Sequence, residues 1–289
     1  MPWASLAIVF FASCLHVGWN ALAKKARDPL LFIWSATGLG SIVLSPWAVQ
    51  CVASGQINAS HLPFLVITAV VHAAYFITLG RAYRLGDLSL VYPIARGGSV
   101  ALVAIFAWPL LNESPSWIGA GSIMTILVGV TLVAWKQRRA LSLHSIPPSQ
   151  RRQSLLWALL TSTLIATYSL NDKIGVHKVD PMAYVILMSF GAWLTLLPWI
   201  AWQHRRALKH EWQRNTKAIA IAAVFNLSSY ALVLYAMRFS HASYVVASRE
   251  ISIVLAVFLG RLGLGEQPSM TRMLGALTIA AGILSLRLA

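Results

Sequence analysis

Apolar residues fill long continuous stretches of the chain, and polar residues collect in the short segments between them. A run of about 20 apolar residues can cross the hydrocarbon core of a bilayer as an α-helix. The shorter alternating segments of a membrane β-barrel are absent. The pattern predicts an all-α polytopic membrane protein with ten transmembrane helices, at residues 3–23, 29–51, 62–84, 88–110, 115–135, 154–174, 181–202, 216–238, 242–264 and 269–288.

The segment 136–153 is the longest polar connection, and it divides the predicted helices into a five-helix repeat at 1–135 and another at 154–289. Ten positions between 96 and 129, namely the nine pairs given below and Leu111/Leu264, recur 153 residues later without a gap. An odd number of helices per repeat brings the second copy into the membrane from the opposite side, which predicts two inverted repeats. The recurring pairs are Arg96/Arg249, Ser99/Ser252, Leu102/Leu255, Glu113/Glu266, Pro115/Pro268, Ser116/Ser269, Thr125/Thr278, Ile126/Ile279 and Gly129/Gly282.

Composition agrees with a membrane protein, since 58% of the residues are hydrophobic and 11% are charged, against about 25% charged in soluble domains. The net charge of +15 comes mostly from residues between the apolar runs, so it indicates membrane topology and no nucleic-acid partner. Cys14 and Cys51 lie in or at the end of apolar runs, where we expect packing residues. We expect no disulfide, metal site or cofactor.

Arg96 and Arg249 each lie near the middle of a predicted helix, roughly 12–14 Å deep at the rise of an α-helix. An arginine at that depth costs roughly 2.5–3.5 kcal/mol on insertion scales, so it marks a functional site by default. Tyr92, Arg96 and Ser99 share one face of the fourth helix, next to Pro93 and Gly97-Gly98. The alternative is a kink whose arginine satisfies nearby carbonyl groups.

Glu250 follows Arg249 directly, and two partners are open for it. It pairs with Arg96 across the repeats, or Arg249 neutralises it and leaves Arg96 to hold the substrate. We favour the second arrangement, because no acid lies near Arg96 in sequence. Transport should depend on Glu250 more than on Glu113 or Glu266, which we interpret as helix caps or surface charges. Its replacement by glutamine should weaken any proton dependence of flux.

Further polar side chains share helix faces and suggest one polar cavity, although each pair is more often an interhelical hydrogen bond. Asp172 and Lys173 fall close to a predicted helix end, where we expect snorkelling or a surface pair. The candidate substrate-binding residues are Arg96, Tyr92, His16, Asn20, His72, Tyr75, Tyr168, Asn171, Asn226, Tyr230, Arg249 and Glu250.

The run GDLSLVYPIARG, followed by a hydrophobic span that ends in LLNESPS, resembles the second part of an EamA-type repeat. The later run ASYVVASREISIVLAVFLGRLGLGEQPS is similar to it, and HVGWNALAKK resembles the end of the first helix in such proteins. Two of these repeats form the ten-span members of the drug/metabolite transporter superfamily. The resemblance implies a multi-pass secondary carrier of small metabolites such as amino acids, related zwitterions, nucleosides or amphiphilic toxins.

Export of a polar or zwitterionic metabolite from the cell across the inner (plasma) membrane is the function that we expect, by alternating access at a midplane site. Uptake carriers and uncoupled facilitators remain alternatives. An intramembrane enzyme is less favoured, since no HExxH zinc pair and no GxSxG elbow are present. We expect a small-molecule substrate and lipid as partners, and we leave open proton coupling and the choice between monomer and homodimer.

Both termini should be extracytoplasmic, because 17 of the Lys and Arg residues outside the membrane then fall on the cytoplasmic side and 4 on the outer side. Ten-span members of the superfamily usually have cytoplasmic termini, so this orientation departs from the resemblance. Single-cysteine variants Ser145→Cys and Arg287→Cys, labelled on intact cells, should react at 287 only. Labelling of position 145 from outside would reverse the assignment.

Overall fold

The computed structural model describes residues 1–85, 88–140, 147–264 and 269–289; side chains at 83, 88–90, 92, 135–140, 148 and 259–264 are not described. Within these residues the chain is helical, with short turns between the helices. The twelve α-helices of the described part are α1 Trp3–Lys25, α2 Pro29–Val43, α3 Ser45–Ala53, α4 Leu62–Leu85, α5 Leu88–Leu111, α6 Trp117–Ala140, α7 Pro148–Gly175, α8 Pro181–Gln203, α9 Arg205–Phe239, α10 Ala242–Ser248, α11 Ile251–Leu264 and α12 Met270–Ser285.

Each of the ten predicted stretches is helical, and the prediction of an all-α polytopic membrane protein is confirmed. Among the described residues, seven helices are long and apolar enough to cross a membrane. An eighth span results if α2 and α3, which are bent by 46° at Leu44, are counted together. The prediction of ten crossings in two inverted repeats stays a prediction.

The chain divides into two compact units, and each draws on both halves of the sequence. Unit 1 contains Met1–Phe10, Ala74–Leu170 and Phe239–Ala289, and unit 2 contains Phe11–Ala73 and Asn171–Arg238. The repeats predicted from the sequence are therefore distributed over both units, and α1, α4 and α7 each contribute residues to both.

Unit 2 begins two of its helices with the same Asp-Pro pair. Asp28 accepts hydrogen bonds from the backbone N–H groups of Leu30 and Leu31 at the start of α2. Asp180 accepts the corresponding bonds from residues 182 and 183 at the start of α8. In both helices the proline occupies the first turn, where its missing N–H costs nothing. The two sequence copies thus form the same local structure.

Unit 1 is held together by close contact of α6 with α12, in which glycines let the two backbones approach. A Cβ atom at Gly129 would lie 2.8 Å from the carbonyl oxygen of Gly275 and from the backbone nitrogen of Ile279. A Cβ atom at Gly282 would lie 2.7 Å from Ile126 and 3.0 Å from the carbonyl oxygen of Ser122.

These two sets of contacts are reciprocal at the offset of 153 residues. Gly282 corresponds to Gly129, and the residues that Gly282 meets correspond to those that Gly129 meets. A two-fold axis between related helices produces contacts of this kind. Gly129, Gly275 and Gly282 therefore serve packing within one chain.

Gly129→Ala should destabilise the protein by about 1–3 kcal/mol, the usual cost of overpacking, because its methyl group meets backbone atoms of α12 that cannot turn away. Gly121→Ala on the same helix is the matched control, since a Cβ there meets nothing within 4 Å. The control should be neutral or more stable by up to about 1 kcal/mol through helix propensity. Melting temperatures in detergent measure both effects, and equal melting temperatures would contradict the close contact.

Candidate functional site

The ninth predicted span is interrupted, and two charged residues lie at the break. Helix α10 ends at Ser248 and α11 begins at Ile251, so Arg249 and Glu250 lie in the turn between them. The Glu250 N–H bonds to the carbonyl oxygen of Ala247, a tightened i→i−3 bond. Discontinuous helices of this kind form ligand and ion sites in many transporters.

Arg96 on α5 bonds to Glu250 at this break. Its Nη2 atom lies 2.8 Å from Oε1 of Glu250, and the exposed fractions of the two side chains are 13% and 2%. The other carboxylate oxygen of Glu250, Oε2, is buried and accepts no hydrogen bond from the described residues. The Ser99 hydroxyl donates to the carbonyl oxygen of Arg96 within α5, in the helix that also contains Pro93.

Glu113 holds the other end of α10. Its Oε2 atom accepts a hydrogen bond of 2.6 Å from the backbone N–H of Ala242, in the first turn of that helix. A carboxylate there satisfies a free N–H group and favours the positive end of the helix dipole. The interpretation of Glu113 as a cap is confirmed, while Glu266 lies outside the described residues.

The two open pairings of Glu250 now have different outcomes. The pairing of Glu250 with Arg96 is confirmed by their ion pair. No acid lies near Arg96 in sequence, but the fold places Glu250, which is 154 positions away in the chain, next to it. Arg249 lies next to the break, partly buried, as the cap residue of α10.

A second buried carboxylate, Asp172, lies in unit 2 near the end of α7. It is 0% exposed, and its Oδ1 atom accepts a hydrogen bond of 2.8 Å from the hydroxyl of Tyr184 on α8. Its Oδ2 atom accepts one of 2.5 Å from the hydroxyl of Tyr230 on α9. The side-chain amide of Asn171 lies 3.5 Å from Oδ1 and also donates to the carbonyl oxygen of Phe64 on α4.

The interpretation of Asp172 and Lys173 as a surface pair is wrong. Asp172 is fully buried, and Lys173, 8% exposed, donates its Nζ hydrogen to the carbonyl oxygen of Met237 at the end of α9. Helix α7 ends at Gly175, within one residue of the predicted end, so the error lay in the burial: side chains of α8 and α9 cover this end of the helix. Tyr184 was missed altogether, because a tyrosine within an apolar run carries no signal of its own.

The remaining predicted residues fall into both units and make local contacts. The rings of Tyr75 and Tyr168 meet edge to face at 5.9 Å in unit 1. In unit 2 the ring of His72 meets that of Tyr230 at 5.5 Å, and Asn226 donates to Thr37.

On α1 the ring of His16 meets that of Trp19 at 5.0 Å, and Asn20 donates back to the carbonyl oxygen of His16. Tyr92 lies in α5, and its side chain is outside the described residues. Within units, the fold thus groups Arg96 with Glu250, Tyr75 with Tyr168, and His72 with Asn171 and Tyr230.

Comparison with known proteins gives a family match for the second half of the chain. Residues 152–288 match the profile of the EamA-like transporter family. This confirms the resemblance to the drug/metabolite transporter superfamily and to membrane transporters of small solutes.

The fold agrees with a solved structure described only as "Crystal structure of protein". The structural match covers 100% of this chain and 98% of the chain in that structure, with a TM-score of 0.77 and 16% sequence identity. At that identity the likeness shows the fold alone. No curated protein matches the chain.

Arg96→Gln and Glu250→Gln should each destabilise the protein by about 3–5 kcal/mol, because each leaves an uncompensated buried charge. The double variant Arg96→Met/Glu250→Met should lose less than the sum of the single variants, since it removes both charges together. Tryptophan fluorescence melts measure the losses, with the exposed Arg151→Gln as the control. Simple additivity of the two single effects would show that the ion pair contributes no coupling.

Proposed function

We propose that this protein is a secondary transporter that exports a small zwitterionic metabolite of the amino-acid type across the inner (plasma) membrane. The observation that carries the proposal is the ion pair between Arg96 and Glu250 at the break between α10 and α11. An ion pair within an apolar span is costly, and the turn beside it has tightened i→i−3 backbone hydrogen bonds in place of regular i→i−4 bonds. Both features are expected where a polar ligand binds.

The chemistry of the pair supports a ligand that carries both charges. The Arg96 guanidinium offers several N–H donors and can bind a ligand carboxylate at two points. The Oε2 atom of Glu250 is a buried acceptor that receives no hydrogen bond from the described residues, and a ligand ammonium group supplies the donor that it lacks. A zwitterion can thus satisfy both residues, whereas an anion or a cation satisfies one.

The family supports transport in general, and the direction and mechanism belong to this proposal. Export is the commoner role among the proteins that the sequence resembles, and alternating access at a site near the membrane midplane suits its repeated architecture. Uptake or uncoupled diffusion of a related solute is the alternative. A carrier saturates and shows counterflow, whereas an uncoupled pore does not. We further propose that both termini are extracytoplasmic, on the basis of the Lys and Arg distribution.

A thermal-shift assay with three matched ligands tests the substrate class. The three ligands are an amino acid, the corresponding amine without the carboxylate, and the corresponding acid without the amine. Each analogue thus lacks one of the two charged groups of the amino acid. The amino acid should raise the melting temperature more than either analogue, because a ligand that binds the folded state stabilises it. Amino acids with several different side chains should be screened, since the proposal specifies the ammonium and carboxylate groups of the substrate but not its side chain.

Arg96→Lys provides the control, because it keeps the positive charge at the ion pair and removes the planar donor fork. We expect this variant to stay folded and to lose most of the shift given by the amino acid. Counterflow of the same amino acid in proteoliposomes then measures transport. Equal shifts from all three ligands, or an unchanged shift in Arg96→Lys, would refute the assignment of the carboxylate to Arg96.

A further inference from the structure

Two polar connections of unit 2 carry much of the positive charge of the chain. Residues 24–28 and 205–217 contain eight of its 23 Lys and Arg residues, with two acids, Asp28 and Glu211. We infer that these segments form one surface that binds the phosphate groups of anionic phospholipids in the adjoining membrane leaflet. The inference goes beyond the proposed function, and it holds for any transported solute.

Helix α9 consists of two helical segments, since the backbone at Asn215 departs from helical geometry with φ −121° and ψ 17°. The segment before this kink, 205–214, is rich in Lys and Arg, and the apolar stretch of the helix follows it. A basic helical segment next to an apolar span is typical of helices that lie along the membrane surface. The kink thus separates a surface segment from the part of α9 that can cross the membrane.

One face of the segment 205–214 is covered by the protein, and the other carries its positive charge. Leu208, Glu211 and Trp212, which are three and four residues apart, are buried or half-buried. The segment therefore presents a basic face away from the protein. The exposed cations outside the covered stripe are Arg205, Arg206, Lys209 and Arg214, with Lys217 just beyond the kink.

Glu211 fixes the segment to the turn between α1 and α2. Its Oε2 atom accepts a hydrogen bond of 3.4 Å from the backbone N–H of Asp28, and its Oε1 atom accepts one of 2.5 Å from the side-chain amide of Asn215. The indole N–H of Trp212 donates to the hydroxyl of Ser35 on α2 at 2.9 Å. These bonds hold the basic segment against the first connection of unit 2.

That connection adds three further cations to the same surface. Lys24, Lys25 and Arg27 are exposed, whereas the neighbouring Ala23 and Ala26 pack into an apolar cluster with residues 219, 222 and 223 of α9. Because the alanines hold the turn against α9, its cations lie beside those of the segment 205–217. Two connections that are far apart in sequence thus form one basic surface.

The two acids of these connections do not neutralise the surface. Glu211 is 2% exposed, and its two carboxylate oxygens accept hydrogen bonds from Asp28 and Asn215. Asp28 is half-buried, and its Oδ1 atom accepts hydrogen bonds from the backbone N–H groups of Leu30 and Leu31. Both carboxylates thus serve the local fold, and the outward charge of the surface is positive.

A tryptophan at the end of α8 indicates that the surface faces lipid headgroups. Trp202 is 86% exposed and lies three residues before Arg205. In membrane proteins an exposed indole prefers the headgroup layer, where its ring contacts lipid and its N–H group is wet. The cations that follow Trp202 therefore lie at the depth of the lipid phosphates. Lys and Arg at this depth attract anionic lipids, and a guanidinium can bind a phosphate at two points.

Native mass spectrometry of the full-length protein in neutral detergent tests the inference by counting bound lipids. Phosphatidylglycerol and phosphatidylcholine with the same acyl chains serve as probes, because both contain a phosphate and only the first has a net negative charge. The wild type should bind phosphatidylglycerol more tightly. Equal affinity for the two lipids would overturn the inference.

Neutralisation of the α9 cations should remove this preference. The triple variant Arg205→Gln/Arg206→Gln/Lys209→Gln should bind phosphatidylglycerol at least about tenfold more weakly, since each cation near a membrane surface contributes about fivefold to the attraction of anionic lipid. Its binding of phosphatidylcholine should stay the same.

The matched control is a triple variant that removes three exposed cations of unit 1, Arg84→Gln/Arg151→Gln/Arg152→Gln. It lowers the net charge by the same amount and should keep the wild-type affinity for phosphatidylglycerol within about twofold. Equal weakening in both triple variants would show that net charge alone attracts the lipid, and the assignment to this surface would then be wrong.

A further triple variant, Lys24→Gln/Lys25→Gln/Arg27→Gln, tests whether the two connections act as one surface. It should also weaken the binding of phosphatidylglycerol by at least about tenfold, and it keeps the test decisive if the α9 variant does not fold. Unchanged affinity in this variant would overturn the joint surface.

Inorganic phosphate, added at the concentration of the lipid, distinguishes a lipid surface from a site for a free anion. Bound phosphatidylglycerol should remain in place, because many lipid phosphates and Trp202 contact the same layer. Displacement by phosphate would overturn the lipid assignment. Since lipid binding is measured without solute, a failure of the proposed transport function would change none of these outcomes.

Discussion

A charged side chain inside a membrane protein must receive its partners from the protein, because the surrounding hydrocarbon supplies none. The structure meets this constraint in two ways. Glu250 is bonded by the guanidinium of Arg96, and Asp172 is surrounded by the hydroxyl groups of Tyr184 and Tyr230. The first solution neutralises the charge within the protein. The second surrounds it with neutral hydrogen-bond donors.

The same constraint explains how the helices begin, break and pack. Helix starts are satisfied by carboxylates, with Asp28 at α2, Asp180 at α8 and Glu113 at α10. Close packing relies on small residues, since lipid is as apolar as leucine and the hydrophobic effect does not draw helices together. The glycines between α6 and α12 allow backbone contact over two turns or more. The closely packed helices α6 and α12 belong to the same unit as the Arg96–Glu250 ion pair.

The positions that match between the two halves agree in local structure but differ in chemistry. The Asp-Pro caps and the reciprocal glycine contacts match between the halves. Arg96 and Arg249 occupy matching positions in sequence, yet Arg96 lies within the continuous helix α5, whereas Arg249 caps the end of α10 at a break. The first segment thus provides the cation of the ion pair, and the second provides the turn that holds its carboxylate, Glu250.

The sequence by itself determined the helical class, the positions of the helices and the residues that must be costly in a membrane. These follow from the length of the apolar runs and from the chemistry of Arg96, Arg249 and Glu250, both of which are local properties. Only the tertiary structure decided which arginine bonds to Glu250, because that choice depends on how α5 packs against the break after α10. The burial of Asp172 was also hidden from the sequence. Its partners Tyr184 and Tyr230 lie on α8 and α9, and only the packing of these helices against α7 places them around the carboxylate.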